Sequence, residues 1–146
     1  MAHGGIIMEY KVFDNVIAAR LDIGDEIIES LKTICSRENV RAAYVTAIGA
    51  VNHAVTGVLD SDKGEYVDTE YNEFMELLSL LGNISVMNDE VYVHLHATLS
   101  GHDSNAVGGH LRRATIGATC EMFIHKLDGT IGRKQCEKTG INIFDF

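Results

Sequence analysis

The sequence has 146 residues, 46% hydrophobic and 23% charged, a length and composition typical of one globular domain and unlike those of a disordered chain. Twelve Lys and Arg residues against 21 Asp and Glu residues leave a formal net charge of −9, which opposes general attraction to a phosphate backbone. The absence of Pro excludes polyproline linkers, and the three cysteines (Cys35, Cys120, Cys136) lack zinc-motif spacing and are predicted to be reduced thiols.

The beginning of the sequence carries no targeting pattern. Residues 1–8 have no basic region followed by a long apolar run, so we expect no secretion signal. The longest apolar stretch, residues 77–87, is interrupted by Ser, Gly and Asn and is shorter than the ~20 residues of a membrane span. We therefore predict a cytoplasmic protein without membrane contact, formed by a single domain over residues 1–146, and we allow for a disordered extension at residues 1–8.

The next residues predict a short extended segment and one helix. Residues 11–21 are rich in β-branched side chains and are predicted to be extended structure that enters a helix. The helix is predicted over Asp25–Ser36, because apolar residues recur there at helical spacing and acidic residues stand at its start, where the helix dipole favours negative charge. One face of this helix is expected to cover a sheet.

The rest of the chain has the pattern of short strands. Runs rich in β-branched residues, separated by Gly, Asn and Asp, predict strands at residues 40–48, 54–59, 65–69, 77–86, 91–99 and 119–127, with a final edge strand at 141–144. One N-terminal amphipathic helix followed by many strands predicts an α+β fold with an antiparallel-rich sheet. The Gly- and Ala-rich segment Asp103–Thr119 is compatible with a loop, a short helix or a bulged strand.

Three histidines form the candidate functional site. In the alternating segment 91–99, His94 and His96 share one strand face, and neutral imidazole is the commonest transition-metal ligand. His110 follows Gly108 and Gly109, whose missing side chains would let the backbone approach the other two histidines. Three protein ligands leave a fourth position open, which is typical of a catalytic or ligand-binding zinc. The alternative is a polar strand face with solvated rings.

Other polar residues are weaker candidates. Glu121 and Asp103 could orient a metal-bound water or accept its proton, and Arg112 or Arg113 could hold an anionic group at the open position. The structural interpretation, which the pattern favours, is a solvated or cross-strand-paired residue for each carboxylate and a surface salt bridge for the arginines. Three further histidines are predicted to be turn or packing residues: His53, His102 and His125.

Several segments together resemble the plants-and-prokaryotes-conserved (PPC) domain family, in its stand-alone prokaryotic form. They occur in the family's order: Ile48–Val51, Phe74–Ser85, Val93–Leu99, Gly108–Leu111 and Gly117–Ile124. The resemblance implies an α+β domain assembled as a homotrimer, with a metal, usually assigned as zinc, on His94, His96 and His110. It also implies the DNA-binding label of the plant members, whose AT-hook makes the DNA contact; this sequence has no AT-hook, and its acidic charge opposes that role.

These observations leave three functional hypotheses, and the sequence leaves open whether the protein is an enzyme. The first is a homotrimer with a three-histidine site for zinc or another divalent transition metal, open to an unknown small molecule. The second is a DNA-associated regulator or protein-interaction module without catalysis. The third is a small metal-dependent cupin, which also uses His-x-His and a later His, but which requires a nearby carboxylate ligand and a Pro-containing second motif.

Overall fold

The computed structural model describes residues 8–146 and shows a mainly β fold with one short helix among those residues. In chain order the elements are β1 (Glu9–Phe13), β2 (Val16–Asp22), α1 (Ile27–Arg37), β3 (Ala43–Asp60), β4 (Glu65–Tyr71), β5 (Met75–Met87), β6 (Glu90–Ser100), β7 (Ala106–Lys126), β8 (Gly132–Gln135) and β9 (Asn142–Asp145). The disordered extension allowed for at residues 1–8 lies outside the described residues except for Met8, which packs against the core.

The central strands close on themselves. Strand β3 pairs with β5 and β7, and β6 pairs with the same two strands, so β3, β5, β6 and β7 form a ring. The β1–β2 hairpin adds to β7, β4 adds to the far half of β3, and the β8–β9 hairpin meets β5. All pairs are antiparallel except the contact between β5 and β8, which consists of one residue pair, Val86 and Gly132.

Two long strands account for the main differences from the sequence prediction. The strands expected at 40–48 and 54–59 form one 18-residue strand, β3. The segment left open at Asp103–Thr119 is a bulged strand, the first part of the 21-residue β7, after a turn at 101–105. The pairing of β3 with β7 shifts register at three places. Each bulge adds an unpaired residue and bends the strand, so alternation is interrupted although the pairing continues.

Both ends of the described chain contain hairpins that the sequence did not predict. The expected run over residues 11–21 is divided by a turn at Asp14, whose φ is +48°, into strands β1 and β2. The edge strand expected at 141–144 is present as β9 and pairs with β8, which lies in a polar segment without strand alternation.

Helix α1 begins and ends within two residues of its predicted bounds. Glu26 caps it by accepting a hydrogen bond from the Glu29 backbone N–H at 2.8 Å, through Oε2. Its apolar face is fully buried against the inner face of the sheet, through Ile27, Leu31, Ile34 and Cys35. No helix within residues 8–146 has the length and apolar character needed to cross a membrane.

The two faces of the ring differ because side chains alternate along each strand. The inner face contains buried residues such as Val45, Leu80 and Leu95 and packs against α1. The outer face carries His96 on β6 and, directly opposite it on β5, the exposed side chain of Leu81.

Candidate metal centre

Strands β6 and β7 bring the three predicted histidines together on the outer face. His94 and His96 alternate with the buried residues Leu95 and Ala97, which fix the β6 face that the imidazoles occupy. His110 on β7 is the direct cross-strand partner of His96. The histidine positions therefore follow from the alternation of β6 and from the register of β6 with β7.

The three rings surround a common point. Their centroids lie 5.2 Å apart for His94 and His96, 5.2 Å for His94 and His110, and 5.7 Å for His96 and His110. One ring nitrogen from each residue lies within 4.8 Å of the other two. A tetrahedral zinc with ~2.0–2.1 Å bonds to nitrogen holds its ligand atoms roughly 3.4 Å apart, so small ring rotations would complete the site.

Close approach of the two strands depends on Gly108, two residues before His110 in the chain. A Cβ atom built on Gly108 would collide with the backbone carbonyl of Ala97 on β6. Any side chain there would push β7 away from β6 and separate His110 from His94 and His96. The role inferred from the sequence is confirmed for Gly108, whereas a Cβ atom on Gly109 would approach the backbone carbonyl of Gly57 on β3 at 2.7 Å.

The site fits a metal ion better than it fits three solvated imidazoles. Nδ1 of His110 is buried and has no hydrogen-bond partner among residues 8–146, although a buried polar atom normally has one. Burial, with a smaller effect from His94 and His96, lowers the pKa of His110 to about 4. Burial, followed by the nearby charge of Arg133, also lowers the pKa of His94. These two imidazoles are therefore neutral at pH 7, the form in which histidine binds metals.

One side of the centre is formed by Tyr66 from β4. Its ring centroid lies 5.0 Å from that of His110. The guanidinium of Arg112 lies 4.5 Å from the Tyr66 ring and donates to Asp68 at 3.1 Å. Gly57 makes this arrangement possible, because a Cβ atom there would be 2.6 Å from Asp68 Oδ1 and 3.1 Å from the Tyr66 ring.

The opposite side is formed by Arg133 from β8. Its guanidinium lies between the rings of Tyr92 and Phe144, 4.7 Å and 4.6 Å from their centroids. It donates to Ser85 Oγ at 2.8 Å, and to Asn83 Oδ1 at 2.7 Å. Asn83 is the cross-strand partner of His94 and Ser85 that of Tyr92, so the guanidinium lies on the face that carries the histidines.

Three other predicted candidates, Asp103, Glu121 and Arg113, lie elsewhere in the fold. Asp103 lies in the turn between β6 and β7 and accepts hydrogen bonds from Asn105, which lower its pKa. Glu121 lies 11 residues beyond His110 on β7, roughly 35 Å along an extended strand. Arg113 pairs in register with Val55, whereas its neighbour Arg112 is the one that contacts Tyr66 beside His110.

Two of the remaining histidines have structural contacts away from the cluster, and two residues beside the cluster were not predicted. His53 is bonded to Glu70 at 2.8 Å and His125 stacks on Tyr44 at 4.2 Å, so both have packing or hydrogen-bond roles. Tyr66 and Arg133 could not be assigned to the site from the sequence, since neither lies in a segment adjoining the histidines. The alternation of residues 91–99 does place Tyr92 on the histidine face.

Comparison with known proteins agrees with this fold. A structure from Bacteroides thetaiotaomicron, of a protein that has been proposed to bind DNA, matches with a TM-score of 0.92 and 30% identity, covering 96% of this chain and 98% of that one. A metal-containing protein from Archaeoglobus fulgidus matches with a TM-score of 0.86 and 34% identity, covering 96% and 99%. A plant- and prokaryote-conserved protein from Pyrococcus horikoshii matches with a TM-score of 0.85 and 26% identity, covering 100% and 98%.

The family itself is identified from the sequence. No curated protein matches the chain. The model of the Plants and Prokaryotes Conserved domain, abbreviated PCC or PPC, matches residues 8–128, which include α1 and all three histidines of the site. The chain therefore belongs to the Plants and Prokaryotes Conserved domain family.

Proposed function

We propose that the protein is a metal-binding PPC-domain protein whose three-histidine centre binds or transforms a small molecule. His94, His96 and His110 would hold zinc or another divalent transition metal. The observation that carries the proposal is the convergence of three imidazoles whose ring nitrogens lie within 4.8 Å of one another. The buried Nδ1 of His110, which has no hydrogen-bond partner among residues 8–146, supports it. The metal content of the Archaeoglobus fulgidus relative supports it.

The open fourth position gives the metal its function in this proposal. No carboxylate belongs to the histidine cluster within residues 8–146, so the chain supplies three neutral ligands. A metal in such a site would polarise a bound carbonyl or lower the pKa of a bound water. The chain's own residues would hold the metal, and Tyr66 and Arg133 would border the space for the small molecule.

Zinc titration of metal-free protein, followed by calorimetry, tests the proposal. We expect one zinc per chain for the wild type and a loss of affinity of at least about tenfold for His110→Ala, because a ligand is removed. His102→Ala is the matched control, since His102 is exposed in the turn between β6 and β7, outside the cluster. Equal zinc affinity in wild type and His110→Ala would refute the centre.

The proposal includes a homotrimer. The outer face of the central strands carries exposed apolar side chains that would be unusual on a monomer: Tyr44, Ile48, Leu81 and Phe123. We call these four residues the outer apolar face. Leu81 pairs in register with His96, so the outer apolar face adjoins the metal centre, and burial of that face between chains would also shield the centre from solvent.

A second candidate function is DNA binding, favoured by the proposal made for the Bacteroides thetaiotaomicron relative. The net charge of −9 opposes it, because affinity for DNA depends on neutralising phosphates with Lys and Arg. Titration with duplex DNA at ~50 mM and ~200 mM salt separates the candidates, since phosphate-driven binding weakens steeply between these concentrations.

The third hypothesis, a cupin, is replaced by the family assignment.

A further inference from the structure

Arg133 is a cation that has no anionic partner among residues 8–146. Its guanidinium donates three hydrogen bonds, and all three acceptors are neutral: Ser85 Oγ, Asn83 Oδ1 and, at 3.0 Å, the carbonyl oxygen of Asn142. No carboxylate in residues 8–146 lies within 4.0 Å of it, although the chain has 21 Asp and Glu residues. A guanidinium has five N–H groups, so two remain for a further acceptor.

The surroundings hold this cation in a fixed and partly buried position. The rings of Tyr92 and Phe144 contact the guanidinium, and burial lowers the pKa of Arg133. A partly buried charge without a counter-charge is costly in free energy, and an anion bound beside it would remove that cost. Arg112, on the other side of the centre, differs because Asp68 already neutralises it at 3.1 Å.

The unpaired charge adjoins the histidine cluster. Asn83, which accepts a hydrogen bond from Arg133, is the cross-strand partner of His94. A divalent metal on three neutral imidazoles would add two further positive charges, and the cluster supplies no carboxylate to balance them.

We propose that Arg133 is the anion-binding residue of this centre and that its small-molecule ligand is an organic carboxylate, held jointly by the metal and the Arg133 guanidinium. The inference rests on the proposed metal centre. A planar carboxylate can place one oxygen on the open metal position and the other on the two remaining N–H groups. The aromatic rings of Tyr66 and Tyr92 would contact the apolar part of such a ligand.

Anion titration of the cobalt-loaded full-length protein tests this inference without an activity assay. Co²⁺ replaces zinc as a spectroscopic probe, and its visible absorption changes when an anion enters its coordination sphere. Sodium acetate is titrated at constant ionic strength into the wild type, Arg133→Gln and Arg133→Lys, with inorganic phosphate as the alternative anion. Arg20→Gln is the matched control, because it removes the same charge from an exposed side chain on β2 that already pairs with Asp22.

We expect acetate affinity to fall about ten- to hundredfold in Arg133→Gln and to change less than about twofold in Arg20→Gln. In Arg133→Lys we expect a smaller fall of about three- to tenfold, because an ammonium keeps the charge but not the planar pair of donors. If Arg133→Gln does not load Co²⁺, the Arg133→Lys result decides, and wild-type acetate affinity there overturns the inference.

Two other results would overturn the inference while leaving the metal centre intact. One is full Co²⁺ loading with equal acetate affinity in the wild type and Arg133→Gln. The other is binding of phosphate, but not of acetate, that depends on Arg133. Failure of the wild type to load Co²⁺ would instead refute the metal centre itself, and the inference with it.

Discussion

His110 has the most perturbed environment of the three histidines. It lies on β7, between β6 and the far half of β3, and its ring contacts those of His94, His96 and Tyr66. Burial therefore acts on this imidazole together with two neighbouring imidazoles and Arg112, and all of them lower its pKa. The result is an imidazole that stays neutral and has one buried nitrogen without a hydrogen-bond partner among residues 8–146.

This environment predicts an acid-sensitive stability of the metal-free protein. The unfolded chain takes up a proton on His110 near a pKa of 6.5, and the folded chain does so only near 4. Between these values the unfolded state binds more protons, so the free energy of unfolding falls as the pH falls from 6.5 to 4. Urea unfolding of His110→Gln across this range should give a shallower pH dependence than the wild type.

His102→Gln is the control for that experiment, because His102 is exposed in the turn between β6 and β7. It should retain the wild-type pH dependence. A pH dependence in His110→Gln as steep as in the wild type would mean that His110 does not titrate as described.

The sequence predicted the positions of the three histidines, but it did not predict that Arg133 lies beside them. The spacing of His94 and His96, the glycines before His110 and the resemblance to the PPC family together predicted the cluster. Strand alternation and close backbone approach are local properties, which a sequence pattern carries. Arg133 reaches the site from a hairpin that follows β7, and its role depends on packing against Tyr92. No local pattern encodes such a contact.

Helix α1 is joined to the sheet through its N-cap residue, Glu26. Glu26 uses one carboxylate oxygen to cap the helix and the other to accept a hydrogen bond from the Ala114 backbone N–H on β7 at 3.0 Å. This second bond is four residues from His110. The same side chain therefore satisfies a free helix N–H and fixes the helix against the strand that carries the third histidine.

Replacement of Glu26 should therefore destabilise the protein through both bonds. We expect Glu26→Ala to lower the free energy of unfolding by about 1–3 kcal/mol, since loss of a cap costs ~0.5–2 kcal/mol and a further hydrogen bond ~1 kcal/mol. Chemical denaturation measures this change. Glu29→Ala, in the exposed first turn and paired only with Lys32, should cost less than half as much, and equal costs would contradict the role of Glu26.

Element prediction succeeded where the local pattern was continuous. The helix and β6 have uninterrupted periodicity, and both lie close to their predicted bounds. The long strands β3 and β7 were divided or left open because bulges break their alternation, and the partner strands that keep them extended are far away in sequence. The ring closure of β3, β5, β6 and β7 is likewise a tertiary property.

For the whole molecule, the outer apolar face predicts self-association. Ile48, a β3 residue of this face, is 60% exposed, and Val67 on β4 is 61% exposed outside it. We expect Ile48→Glu to reduce the mass in solution from three chains to one, because a carboxylate would be buried in the contact, whereas Val67→Glu should remain a trimer. Light scattering after size exclusion gives both masses. A wild type with the mass of one chain would refute the trimer.

Mass spectrometry of the purified wild type beside His96→Ala tests the metal centre. His96 is the exposed member of the triad, so its replacement should leave the buried core intact. Elemental and native mass spectra together should show about one zinc-like ion per wild-type chain and less than about a tenth of that in the variant. The same metal content in both proteins, or none in the wild type after exposure to zinc, would contradict the account.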